Sequence, residues 1–227
     1  MGKQITINIK KVVIIMANWV RNRITILTDK DIATKIIQSF SGKDAFDGTD
    51  REFTFNAIIP MPEKVYRGEL LQSLNKDTKA ELKLQGIDNW YDWCSRHWGT
   101  KWDIDERTVK VKLADNTLII TFDTANRCPK PIIEALTKKF PNITLICEYS
   151  DEDAGYNCGK ILYNGRCIFE EDYSGTEEGF VFYLYVHDYT FTDYINDREM
   201  SIDEFYSIHN IFNRNKLEKL LELYVVR

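Results

Sequence analysis

An α+β fold is predicted for this 227-residue chain by two strand–helix–strand patterns in tandem, further strands joined by hairpin signals, and a balanced composition. Hydrophobic residues make up 44% and charged residues 29%, with only 5 Pro and 11 Gly, which excludes disordered, collagen-like and low-complexity architectures. A chain of this length buries a core without disulfide staples. No apolar run reaches the roughly 20 residues that a membrane-spanning helix needs.

At the N-terminus, Ile5, Ile7 and Ile9 alternate as in an edge strand. Lys10 to Met16 also reads as a purine-rich ribosome-binding sequence and start codon translated in frame, so residues 1–15 are expected to be a non-native or edge-strand leader. Arg23 to Thr28 is a β-branched strand. A helix from Asp29 to Phe40 follows, with Ile32, Ala33, Ile36, Ile37 and Phe40 on one face and Thr28 and Asp31 as a capping pair. Phe53 to Ile59 reads as a strand stopped by Pro60 and Pro62, which completes the first βαβ unit.

Residues 63–105 read as a helical insertion. One helix is expected around Gly68 to Leu74. A second runs from Asp88 to Trp98, with Trp90, Trp93, Cys94, His97 and Trp98 at i, i+3, i+4, i+7 and i+8 and Gly99 closing it. Thr108 to Leu113 and Thr117 to Asp123 form a hairpin around Ala114 to Asn116. After Pro129 and Pro131, a helix carrying Ile132, Ile133, Leu136 and Phe140 leads to a strand from Ile143 to Tyr149. Two tandem βαβ units split by an insertion are the ferredoxin-like plan, a sheet covered on one face by two helices.

The last third continues in strands. Tyr156 to Tyr163 and Arg166 to Tyr173 flank Asn164-Gly165, a type I′ turn signal, and Phe180 to His187 reads as another strand. Ser201 and Glu204 form a capping box, and Ile208, Ile211, Phe212, Leu217, Leu220, Leu221 and Tyr224 support a C-terminal amphipathic helix. The expected organisation is thus a ferredoxin-like domain over 16–163 and an acidic, strand-rich extension with a C-terminal helix over 164–227.

Charge is distributed unevenly. Residues 1–147 carry 23 basic and 18 acidic side chains, whereas residues 148–206 carry 3 basic and 15 acidic ones, net −12. The overall charge of −5 argues against general duplex binding, which draws its affinity from Lys and Arg. An acidic block of this kind steers basic partners. Five cysteines, an odd number at irregular spacing, fit reduced thiols in a cytoplasmic protein. The Cys94/His97 spacing lacks the further ligands that zinc requires, and Asp151, Asp153 and Gly155 imitate only the beginning of a calcium loop. No metal or cofactor is expected.

Four pieces of sequence belong together: Met16 to Trp19 leading into the first strand, Phe55 to Pro62, the tryptophan-rich Asn89 to Cys94 with Trp98 to Asp103, and Thr121 to Ala125 before Pro129. Over about Met16 to Tyr163 the chain resembles the YubB-type ferredoxin-like family carried by conjugative plasmids and phages. The resemblance implies a bacterial mobile-element protein with a ferredoxin-like core and transfers no catalytic residues. Where that family has Asn-Trp-Cys, this chain has Asn18-Trp19-Val20.

The chain has no phosphate-loop, dinucleotide, nucleophile-elbow or zinc-protease motif. Asp92, His97, Asp103 and Asp105 lie close enough in sequence for acid/base work. The surrounding tryptophans are more economically a packing clasp. The acidic block is interleaved with aromatics, and tyrosine anchors among carboxylates suit a protein interface that faces Arg and Lys. The expected partner-binding residues are Asp151, Glu152, Asp153, Glu170, Glu171, Asp172, Tyr156 and Tyr173. The expected function is non-enzymatic binding of a basic protein surface in a bacterial host, such as the nucleic-acid groove of a defence complex, in counter-defence of anti-CRISPR or anti-restriction type. A nucleotide- or nucleic-acid-processing enzyme using the Asp92/His97/Asp103 region is the first alternative. An RNA- or single-strand-binding module, which needs exposed sheet aromatics beside Lys and Arg, is the second.

Overall fold

Alternating apolar and polar residues make β1 (Trp19–Leu27) a two-faced strand, which buries Val20, Asn22, Ile24 and Ile26 and half-exposes Arg21, Arg23 and Thr25. The computed structural model describes residues 17–68, 82 and 84–225. After β1 come α1 (Lys30–Gln38), a small hairpin of the two-residue strands β2 (Gly42–Lys43) and β3 (Asp50–Arg51), and α2 (Trp90–His97). They are followed by β4 (Lys110–Ala114), β5 (Thr117–Ala125), α3 (Lys130–Lys139), β6 (Leu145–Asp151), β7 (Gly159–Tyr163) and β8 (Cys167–Asp172). Helices α4 (Glu177–Val186), α5 (Phe191–Asp197), α6 (Ile202–Ile208) and α7 (Arg214–Val225) end the described chain.

The main sheet has the order β4-β5-β1-β6-β7-β8, with every neighbouring pair antiparallel. Strands β1, β4, β5 and β6 with α1 and α3 form the ferredoxin-like split βαβ unit, and β7 and β8 widen its sheet. Ala33 and Ile36 of α1 and Ile132, Ile133 and Leu136 of α3 pack on the face that carries Ile24, Ile120, Cys147 and Ile161. A second core lies in the C-terminal helices, centred on the fully buried Phe180 and Phe205, whose ring centroids are 5.0 Å apart.

Several elements differ from the sequence reading. Phe53 to Ile59 is not a strand. The Thr54 hydroxyl oxygen accepts the Asn56 N–H and turns the chain into a short 3-10 helix, Phe55–Ala57, so β4 supplies the second sheet strand instead. Phe180 to His187 is helix α4. Thr176 caps it by accepting the Gly179 N–H, and its apolar run is buried all round, which removes the period that separates helix from strand. Among the described residues, the extension over 164–227 accordingly holds one strand and four helices. The N-cap of α1 is Asp29, which accepts the Ile32 N–H, rather than the Thr28/Asp31 pair. In the β7–β8 turn only Gly165 of the Asn164-Gly165 pair has positive φ (+68°), and Tyr163 pairs with Cys167 next to a bulge, so the turn is not type I′. The single C-terminal helix is two, α6 and α7. The leader over residues 1–15 and nearly all of the helix expected from Gly68 to Leu74 lie outside the described residues.

Helix α4 lies on the sheet face opposite α1 and α3. The Tyr185 hydroxyl donates to Glu148 at 3.2 Å, the Arg23 guanidinium lies over the Tyr185 ring at 5.1 Å, and the His187 Nε2 is 3.3 Å from the Ser150 carbonyl oxygen. Among the described residues no helix is long and apolar enough to cross a membrane.

Candidate functional site

The expected acidic residues gather at one end of the sheet, because the β6–β7 loop and the C-terminal end of β8 meet there. Asp172 pairs with Gly159, and the Gly175 N–H donates to the Gly155 carbonyl at 2.8 Å. Asp151 does not belong to the exposed set. It is 4% exposed and accepts the side-chain amides of Asn18 (3.3 Å) and Asn157 (3.1 Å) and the Asp153 N–H (3.0 Å), so it fastens the loop from within. Its expected role as a partner contact is corrected to a structural one, because a carboxylate this buried has its lone pairs committed.

Glu152 and Asp153 are exposed, although each is also used locally. Glu152 accepts the Trp19 N–H at 3.2 Å and Asp153 accepts the Asn18 amide at 2.8 Å. With Tyr156, which is 51% exposed, they line a cleft of about 470 Å³ whose other wall holds Tyr194, Arg198 and His209. The Arg198 guanidinium stacks on Tyr194 at 3.8 Å, and burial with Arg198 nearby holds His209 below the usual imidazole range. The sequence reading missed Arg198 and His209 here, because they are the C-cap residues of α5 and α6, more than 40 residues beyond Tyr156.

The second group lies on β8, all six of whose residues are exposed. Glu170 pairs with Lys130 at the start of α3. Glu171 accepts the Tyr173 hydroxyl at 2.5 Å. Asp172 accepts the Ser174 hydroxyl and N–H, which hold its carboxyl below the usual range. Tyr173 packs on Phe182 with ring centroids 4.9 Å apart and is partly inside, so Tyr156 is the more exposed of the two expected tyrosines. Ile168 (52%) and Phe169 (48%) add exposed apolar surface to this edge.

Of the residues proposed for acid/base chemistry, Asp103 and Asp105 share a cleft, whereas Asp92 lies in another and His97 lines neither. Asp92 lines a cleft of about 850 Å³ with Arg96, Lys101 and Arg127, while Asp103 borders a different one of about 310 Å³ with Asp44, Arg51 and Asp105. His97 is exposed and stacked on Trp93 at 4.6 Å. Asp103 accepts the Thr54 hydroxyl and the N–H groups of Phe55 and Ile104, and burial raises its carboxyl above the usual range against those bonds. Trp98 is fully buried and donates its indole N–H to the Ile59 carbonyl at 2.9 Å, and Trp93 meets it edge-on at 5.5 Å, the packing arrangement that the spacing suggested.

On the sheet face under α4, Phe169 is the exposed aromatic, and Tyr185 is engaged by Arg23 and Glu148. The aromatic platform of a single-strand binder is therefore not assembled among the described residues. Nor do these residues hold a group of three or more His, Cys, Asp or Glu side chains arranged for a metal.

The fold and these surfaces define an α+β protein with a ferredoxin-like sheet and an acidic edge. Residues 97–202, just under half of the chain, match the family model described as the ferredoxin-like domain in Api92-like protein. The crystal structure of a protein api92 from Yersinia pseudotuberculosis aligns with a TM-score of 0.44 and 13% identity, covering 70% of this chain and 99% of that one. No curated protein matches the sequence.

Proposed function

We propose that this protein is a non-enzymatic binding factor that engages a basic protein surface through the acidic end of its sheet. The observation that carries the reading is the juxtaposition of the exposed β8 edge, with Glu170, Glu171 and Asp172, and the Glu152/Asp153/Tyr156 cleft wall. Carboxylates grouped in this way steer cationic partners over a Debye length of about 8 Å at physiological salt, and a half-exposed tyrosine beside them supplies a contact that orders at low entropic cost. The sequence resemblance to plasmid- and phage-borne YubB-type proteins supports a mobile-element setting. There an acidic surface would compete with nucleic acid for the groove of a host defence complex in the bacterial cytoplasm.

The test uses a fluorescein-labelled peptide of alternating Lys and Val as the basic probe, with a Glu/Val peptide as its control. The Lys/Val peptide binds, and its affinity falls steeply between low and high salt. The triple variant E170K/E171K/D172K lowers the affinity about tenfold or more and flattens the salt dependence. Unchanged affinity and salt slope in that variant, with the fold intact by circular dichroism, overturns the reading.

A further inference from the structure

The two edges of the main sheet are chemically complementary. Edge strand β4 reads Lys110-Val111-Lys112-Leu113-Ala114 and is exposed at all five positions, and edge strand β8 ends in Glu170-Glu171-Asp172 and is exposed at all six. We infer that β4 of one molecule adds to β8 of a second copy and continues the sheet head to tail. This rests on the reading above that the β8 edge is an interaction surface, and it names the strand that occupies it.

Register carries the inference. Following the paired residues across the face under α4, one row runs Lys110, Thr121, Arg23, Glu148, Lys160, Glu171. From Arg23 onward its charges alternate in sign, and it ends in a carboxylate at one edge and begins with an ammonium at the other. A second copy placed beside β8 in the same orientation sets its Lys110 against Glu171 and prolongs the alternation. The next row runs Lys112, Ile119, Thr25, Ile146, Leu162, Phe169, so Lys112 of the added copy lies against the half-exposed Phe169 ring, a cation–π contact. By the same antiparallel count Leu113, 37% exposed, comes opposite Ile168, 52% exposed.

Strand direction agrees. Six strands with antiparallel neighbours leave β4 and β8 running in opposite directions, so the added β4 is antiparallel to β8, as every existing pair is. Charged residues and the bulge at Leu162/Tyr163 are devices that blunt an edge against its own kind. Here they exclude β4–β4 and β8–β8 pairing, where like charges would face each other, and leave the β4–β8 pairing attractive. The contact is heterologous, so it propagates or closes into a ring rather than stopping at a two-fold dimer.

The experiment measures weight-average mass by sedimentation over a concentration series at low salt and at about 0.5 M salt, where charges are screened within a few Å. At low salt the wild-type mass rises about twofold or more with concentration and returns to the monomer at high salt. K110E/K112E and E170K/E171K, each folded by circular dichroism, stay monomeric alone. Mixed in equal amounts they associate again, because the reversed edges are mutually complementary. A wild type that is monomeric throughout, association that survives either reversal, or a mixture that fails to reassociate overturns the inference. If the wild type stays monomeric yet binds the Lys/Val peptide, only the β4 assignment fails. If neither occurs, the proposed function fails with it.

Discussion

The Asp103 carboxylate accepts the Thr54 hydroxyl at 2.6 Å, across 49 residues of chain, and so ties the turn after the small hairpin to the segment that enters β4. The same carboxylate takes the Phe55 N–H at 2.6 Å, which makes it the fastening of the insertion onto the ferredoxin-like core. Replacing Asp103 by Ala strands these donors and costs about 1–3 kcal/mol, measured by urea unfolding. Asp103→Asn keeps an acceptor and costs less. Because burial raises the folded-state pKa of Asp103 above its unfolded value, its linked contribution to stability is present at low pH and is lost as pH rises through the folded value. The stability of wild type relative to Asp103→Asn therefore increases as pH falls from neutral into the carboxylate range.

Trp98 and His97 are adjacent in sequence and opposite in consequence. Trp98→Ala empties a fully buried site and breaks the indole hydrogen bond to Ile59, at a cost of about 3–5 kcal/mol. His97→Ala removes an exposed ring stacked on Trp93 and changes stability by about 0.5 kcal/mol or less. Binding of the Lys/Val peptide is unchanged in His97→Ala. A loss of binding in that variant at unchanged melting temperature would place the working surface on α2.

His187 couples the docking of α4 to pH. Burial and the nearby Arg21 depress its folded-state pKa below the ordinary imidazole value. A depressed pKa means that the stabilisation is present above the unfolded value of about 6.5 and is lost as pH falls through the folded one. The wild-type melting temperature accordingly drops between pH 7 and pH 5 by more than that of His187→Gln, which has no proton to take up. Equal drops in the two proteins would show that the imidazole does not carry the effect.

The sheet was legible because its strands obey the two-residue period. Ile24, Ile26, Leu118, Ile120 and Phe122 all face inward as the alternation requires, and α1 and α3 show the helical period. Reading failed where tertiary structure outweighed local pattern. Phe53 to Ile59 looks extended until Asp103, far along the chain, captures Thr54 and Phe55. The Phe180 run is buried on every side and has no period to read. At the acidic end, residue type indicated Glu152, Asp153 and the β8 carboxylates, but only the fold shows that Asp151 turns inward and that Arg198 and His209 close the cleft.

Gly179 separates the helical reading of this segment from the strand reading by experiment. Replacing an exposed helix glycine by Ala stabilises a protein by about 0.5–1 kcal/mol, since Ala loses less backbone entropy on folding. Gly179 lies in the first turn of α4 and is buried, and a Cβ built there would stand 2.1 Å from the Tyr173 carbonyl oxygen and 3.3 Å from Cys158 Sγ. The carbonyl belongs to the chain just beyond β8, where the Tyr173 N–H donates to the Cys158 carbonyl at 3.0 Å, so it cannot retreat without loosening that join. Gly179→Ala is therefore destabilising by about 1–3 kcal/mol, the scale of overpacking, despite the better helix propensity of Ala. Far-UV circular dichroism keeps its helical signal, while the urea midpoint falls. A raised midpoint would mean that α4 does not pack against Tyr173 as described, and the placement of the β8 edge relative to the C-terminal core would have to be revised with it.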